Sequence, residues 1–159
     1  MQEFSGRVAV VTGAASGMGR AFAQRFAEEG MRLVLADIEE PALDKAVAEL
    51  RAEGHEAIGV PTDVSDAGAI EGLARAALAE HGAVHLVCNN AGVEGYLDGA
   101  IWEATEKDWT WTIGVNFWSV VFGVRTFVPI LLANEDGGHL VNTASMTALV
   151  RAANMYGIA

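Results

Sequence analysis

Thr12-Gly13-Ala14-Ala15-Ser16-Gly17-Met18-Gly19 sets small residues between an apolar, β-branched run, Val8 to Val11, and a stretch with helical spacing at Met18, Phe22 and Phe26. Such a turn lets the backbone approach a phosphate closely, and the helix behind it offers N–H groups that have no partner inside the helix. Asp37 stands eighteen residues after Gly19 and closes a second apolar run, Leu33 to Ala36. A carboxylate there meets the diol of an adenosine ribose when a dinucleotide lies on the turn, and it repels a 2′-phosphate. No Lys or Arg lies between Ala14 and Gly17 or directly after Asp37, so the pattern favours NAD over NADP. Hydride transfer to a nicotinamide then needs one group to move the alcohol proton and another to hold the oxygen. Ser145 and Tyr156, with ten residues between them, are the candidates. Ser145 follows the run His139 to Thr143 and is expected at the carboxyl end of a strand, where ligands bind in open α/β sheets.

The elements that position these groups alternate. Strand Val8–Val11 leads through the glycine turn into a helix that Gly30 ends, and Leu33–Ala36 is the second strand. Pro41 opens a helix with Leu43, Ala46, Val47 and Leu50 on one face, stopped by Gly54. A third strand is expected from His55 to Val60. Asp66 caps the next helix, with Ile70, Leu73, Ala74, Ala77 and Leu78 on one face, and His81-Gly82 ends it before a strand from Val84 to Cys88. A long apolar and aromatic helix is expected from about Thr105 into the 120s or beyond, with Pro129 a residue that can bend or break it near its end. Gly137-Gly138 introduces the fifth strand, His139 to Thr143, and a further helix is expected to start near Tyr156. Strands apolar on both faces, alternating with amphipathic helices, predict a single α/β domain over residues 1–159 with a doubly wound parallel sheet.

Composition narrows the class. The chain has 159 residues, 52% of them hydrophobic, and its 10 Lys+Arg against 21 Asp+Glu leave a net charge of -11. The apolar content argues against disorder, and the net charge argues against nucleic acid as a partner. No apolar run approaches the length of a membrane span, and the start lacks the flanks of a secretion signal, so a cytoplasmic protein is expected. One cysteine, Cys88, excludes an internal disulfide.

TGAASGMG, Asp63-Val64 after the third strand and Asn89-Asn90-Ala91-Gly92 after the fourth together resemble the short-chain dehydrogenase/reductase family, over all five strands. The resemblance implies a Rossmann fold and an NAD-dependent oxidoreductase that moves a hydride between the cofactor and a secondary alcohol or ketone. It implies cofactor contacts at Gly13, Ser16, Gly17, Met18, Gly19 and Asp37. By the same resemblance Asp63 meets the adenine amino group with the Val64 backbone beside it, and Asn89, Ala91 and Gly92 line the cofactor and stabilise the sheet. Asn90 is read as structural, because paired asparagines at a strand end satisfy neighbouring backbone groups. Ser145 matches the family's catalytic serine and Tyr156 its acid/base tyrosine. Asn116, in Gly114-Val115-Asn116-Phe117, matches the asparagine that distorts the long helix and anchors a water in the proton relay.

The family motif is Tyr-x-x-x-Lys, and here Tyr156-Gly157-Ile158-Ala159 ends one position before the lysine is due. A free tyrosine, with a pKa of about 10, is phenolate in only about one molecule in a thousand at pH 7. The family's lysine and the nicotinamide charge lower that value. The 159 residues are therefore expected to be a fragment or early-terminated form of a longer enzyme that lacks the C-terminal part of the family domain and, when intact, forms a homodimer or homotetramer. The alternative is a catalytically silent NAD-binding module.

Other residues are read as structural. His81 and His85 are four apart, but Gly82 breaks the helix that would align them as a metal pair, so no metal site is expected. Cys88 is a core thiol. Trp102, Trp109, Trp111 and Trp118 are expected to serve core or subunit packing, with Trp102 a candidate for substrate contact. Glu94 to Gly99 borders the substrate space by resemblance, and the apolar surroundings lean towards cyclic or aromatic alcohols.

Overall fold

A computed structural model describes residues 3–95 and 99–146; Tyr156 and the helix expected around it lie outside the described residues. Five parallel strands, β1 (Val8–Thr12), β2 (Arg32–Asp37), β3 (Ala57–Pro61), β4 (Leu86–Asn89) and β5 (His139–Asn142), form one sheet in the order β3-β2-β1-β4-β5. The chain moves outward from β1 to β3 and then crosses back to place β4 on the other side of β1. A crevice opens between β1 and β4 at their carboxyl ends, the topological switch point. Register brings Thr12 opposite Ala36, Asp37 opposite Pro61 and Asn89 opposite Asn142, so the functional edge of the sheet is level.

Period-two alternation divides the strands between two cores. Ala9, Val11, Leu33 and Leu35 pack with Leu43, Ala46 and Leu50 of α2 (Glu40–Ala52) and Ala23 and Ala27 of α1 (Gly17–Glu28). Val8, Val10, Val34 and Val87 pack with Ile70 and Leu73 of α3 (Ala67–His81) and with Phe127 and Leu131 of α5 (Ser119–Ala133). Burying each such aliphatic or aromatic side chain contributes about 1.5–3 kcal/mol. The helix ends follow their local chemistry: Asp66 accepts from the Gly68 N–H at 2.8 Å, and Gly82 takes the left-handed conformation (φ 75°) that a residue with a Cβ resists.

The long helix covers the expected range and is distorted where Asn116 lies. α4 (Glu106–Ile113) and α5 are joined without a break by a π-helical turn, Gly114–Trp118, into 28 helical residues. Thr105 and Asp108 start it with a reciprocal capping box. Pro129 does not end it, and the helix runs on to Ala133 because Phe127 and Leu131, on either side of the proline, are both buried in the core. By length and composition this helix would suffice to cross a membrane, contrary to the sequence expectation; in this fold it covers the sheet. Nor do the tryptophans fill the core. Trp102 is 83% exposed and Trp109, Trp111 and Trp118 are also exposed; the buried positions of the long helix are Thr112, Ser119, Gly123, Phe127 and Leu131. A short 3₁₀ turn, Ile101–Glu103, precedes the helix. β3 and β4 each start two residues later than expected, and β5 ends at Asn142 with Val141 exposed at the sheet edge.

His85 replaces a ladder partner at the foot of the sheet. Its ring Nδ1 accepts the Val8 N–H at 3.1 Å while the His85 backbone N–H donates to the Val8 carbonyl at 3.0 Å. Burial, and then the Arg7 and Arg32 guanidinium groups, push its pKa below 6.5, against a smaller upward pull from Asp136. The unfolded chain therefore takes up this proton first as pH falls, so the stabilisation is fully present above about pH 6.5 and lost below it. Urea midpoints should fall between pH 7.5 and 5.5, and less steeply in His85→Asn, whose amide oxygen still accepts from Val8 but does not titrate. Equal slopes in the two proteins would refute the assignment.

Candidate functional site

The glycine turn is built by contacts that exclude side chains. Gly13 has φ 65°, and a Cβ there would stand 2.8 Å from the Ala91 Cα. A Cβ on Gly19 would stand 2.0 Å from the Gly13 carbonyl oxygen, so Gly19 is buried where α1 meets the turn and does not reach the groove. Gly17, at φ 51°, has nothing within 4 Å of where a Cβ would be and opens to the groove. Ser16 caps α1 without a side-chain hydrogen bond, and the first turn holds no acidic residue. The helix start thus keeps its backbone donors for an anion.

Asp37 closes the other side. Its Oδ2 accepts the Ala15 N–H at 2.9 Å and its Oδ1 the Glu39 N–H at 3.1 Å, so one carboxylate joins the end of β2 to the glycine turn. Asp63 is oriented by Ser65, whose N–H and Oγ donate to Oδ1 at 2.9 and 2.7 Å. Val64 beside it is buried.

The joint between β1 and β4 rests on Thr12, which sequence reasoning treated only as part of the turn. Its Oγ1 donates towards the Cys88 carbonyl at 3.3 Å and accepts the N–H groups of Asn90 and Ala91 at 3.0 and 3.1 Å. The Asn90 amide donates back to the Thr12 carbonyl at 3.1 Å, and its oxygen accepts from Thr143 Oγ1 at 3.1 Å. Asn90 therefore works as a backbone clamp. Asn89 lies buried under the site, donating to Asn142 Oδ1 at 2.9 Å, and leaves no room for a side chain at Gly123, where a Cβ would fall 2.3 Å from its Oδ1. The available signal was a β-branched hydroxyl at the last position of a buried strand, where ladder partners run out. Cys88 is buried, which pushes its thiol up to about 11 and leaves it inert at neutral pH.

Asn116 sits in the π-helical turn and pairs with Val93 as a strand would: its Oδ1 accepts the Val93 N–H and its Nδ2 donates to the Val93 carbonyl, both at 2.8 Å. The wider π turn carries the side chain to this backbone. Ser145 is exposed three residues past β5.

These walls enclose a groove of ≈ 480 Å³. Gly13, Ser16, Gly17 and Met18 form its floor; Asp37, Asp63 and Val64 line one end, and Ala91 and Gly92 another. Asn89, Gly19, Asn116 and Ser145 are not part of the lining. Ile38, Glu39, Thr62, Ser65, Asn90, Val93, Trp111 and Val115 line it without having been singled out as cofactor contacts. Three carboxylates, Asp37, Glu39 and Asp63, and no Lys or Arg belong to the lining among the described residues. A phosphate must therefore be met by backbone N–H groups, and the residues fit a dinucleotide: Gly17 leaves the open cradle and the start of α1 the donors.

The family model described as short chain dehydrogenase matches residues 7–157. The chain is 45% identical over 144 residues to 1-deoxy-11-beta-hydroxypentalenate dehydrogenase of Streptomyces arenae, covering 91% of this chain and 51% of that protein. It is 40% identical over 147 residues to the C alpha-dehydrogenase of a Sphingobium species, covering 92% and 48%. The crystal structure of a short chain dehydrogenase/reductase from Burkholderia phymatum in complex with NAD superposes with a TM-score of 0.94 at 51% identity, covering 98% of this chain and 55% of that one. The chain spans about half the length of these relatives.

Thr12→Val should leave the Asn90 and Ala91 N–H groups without their acceptor and cost about 1–3 kcal/mol in urea unfolding, while Thr12→Ser should cost far less. If valine is as stable as threonine, the joint does not depend on this hydroxyl.

Proposed function

This chain belongs to the short-chain dehydrogenase family, and on that premise we propose that it seats NAD for hydride exchange with a secondary alcohol or ketone. The observation that carries the reading is the groove at the β1/β4 switch point, lined by the start of α1, whose Ser16 makes no side-chain capping bond, and by the Asp37 carboxylate, with no Lys or Arg in the lining among the described residues. Bound there, the nicotinamide ring accepts or gives the hydride. The turn from Gly13 to Met18, which includes the start of α1, would hold the pyrophosphate through its N–H groups, with Gly19 packing the helix on the turn. Asp37 exchanges its bonds to the Ala15 and Glu39 N–H groups, in whole or part, for the ribose diol. With Glu39 it makes a dianionic 2′-phosphate costly. Asp63 takes the adenine amino group with Val64 beside it, and Ala91 and Gly92 lie along the cofactor. Asn116, by holding Val93, anchors the proton relay, Ser145 holds the substrate oxygen, and Tyr156 moves the proton. The apolar exposed faces of Trp109, Trp118, Val124 and Leu132 support assembly as a homodimer or homotetramer, and the acidic composition and single free cysteine support a cytoplasmic setting.

Calorimetry with NAD tests the binding half. Wild type should bind NAD in preference to NADP, and Asp37→Ala should weaken NAD at least tenfold, the loss of charge-assisted hydrogen bonds, while narrowing the preference. Absence of any NAD binding at millimolar concentration would overturn the reading. For the chemistry, Tyr156→Phe in a polypeptide carrying the whole Tyr-x-x-x-Lys motif should abolish NADH formation from secondary alcohols and leave NAD affinity nearly unchanged. Undiminished turnover would remove Tyr156 from the mechanism, and binding without turnover in the unmutated polypeptide would favour a silent NAD-binding module.

A further inference from the structure

Among the described residues the groove has one aromatic lining side chain, Trp111, and its indole is 50% exposed. It belongs to α4 three residues before the π-helical turn, and Val115, one helical turn further on, lines the same groove. Two contacts fix the register of this helix. Asn116 is bonded twice to Val93 at 2.8 Å, and Gly114 packs so closely on the loop after β3 that a Cβ would stand 3.3 Å from the Ser65 Cβ. Trp111 is five residues, about 7.5 Å along the axis, before Asn116. The helix therefore runs between the segment after β4, where Gly95 packs on Thr112, and the loop after β3, where Gly114 packs on Ser65, and Trp111 lines the groove together with Asp63, Val64 and Ser65. Ile38, 63% exposed, adds a second apolar surface from the end of β2.

A flat, polarisable indole half in water, at the end of a groove where carboxylates wait for hydroxyl and amino donors, suits a planar heteroaromatic base. We propose that Trp111 is a base-stacking residue that covers the adenine ring of the dinucleotide and sets nucleotide affinity from the Asp37–Asp63 end. This rests on the cofactor reading above. The indole gains apolar burial and stacking only when the base is present, whereas the nicotinamide half, beyond Ala91 and Gly92, is out of its reach.

The test titrates the 159-residue protein with NAD, AMP and nicotinamide mononucleotide, following tryptophan emission and calorimetric heat in wild type, Trp111→Phe and Trp111→Ala. NAD and AMP should each quench the wild-type emission, and nicotinamide mononucleotide should not. In Trp111→Phe the quench should vanish while AMP still binds, because a phenyl ring also stacks. Trp111→Ala should bind AMP and NAD about threefold to tenfold more weakly. If the alanine variant fails to fold by circular dichroism, the phenylalanine variant decides through its quench. A quench that survives in Trp111→Phe, a quench produced by nicotinamide mononucleotide, or equal AMP affinity in wild type and Trp111→Ala would overturn the stacking role while leaving the cofactor site intact. A wild-type protein that binds neither NAD nor AMP overturns both.

Discussion

The site depends on how two parallel strands end. β1 and β4 are hydrogen-bonded neighbours up to Val11 and Cys88, and past that point their backbone groups lose ladder partners in a buried region, where an unmet donor costs about 1–3 kcal/mol. Thr12 supplies the missing acceptor to both Asn90 and Ala91, and Asn90 returns a donor to Thr12 and an acceptor to Thr143. One side chain from each strand end therefore ties together the glycine turn, the segment along the groove and the strand that leads to Ser145. The walls of the groove take their spacing from that joint.

Electrostatics work in the same direction. The groove carries carboxylates and backbone donors and no basic side chain among the described residues, in a chain of net charge -11. An anion held here is held by oriented dipoles, which satisfy a pyrophosphate from one side and do not compensate an extra phosphate near Asp37. The Asp37 oxygens are satisfied by the Ala15 and Glu39 N–H groups, so the carboxylate is oriented rather than left buried without partners.

The long helix meets two demands that an ideal α-helix does not meet together. Its outer half must lie along the groove, and its inner half must fill the space over β4 with Phe127 and Leu131. The π turn at Gly114–Trp118 absorbs the mismatch, and the Asn116 amide, paired with the Val93 backbone as a strand neighbour would be, offsets its cost. Small residues on the inward face, Ser119 and Gly123, let the helix approach Asn89. Its tryptophans are thereby turned outward or into the groove, while Phe127 stays in the core.

Period-two and period-3.6 hydrophobicity made the strand and helix order legible from the sequence, and the glycine turn with Asp37 marked one wall of the groove. Those features are local, because a strand's burial or a turn's need for a positive φ is expressed within a few residues. Long-range pairing was not legible. That Thr12 would meet Asn90, Asn89 meet Asn142 and Asn116 meet Val93 depends on strand order and register, which bring together residues 23 to 78 positions apart. Which of the two roles expected of the tryptophans, core or subunit packing, applies was not legible for the same reason: only the packed structure decides which helix face the sheet takes, and it leaves them outside the core. The sequence alone determined which elements exist and which chemistry their ends carry; the tertiary structure decided which of those ends share a groove, because hydrogen bonds between distant strand ends exist only once the sheet has set their spacing.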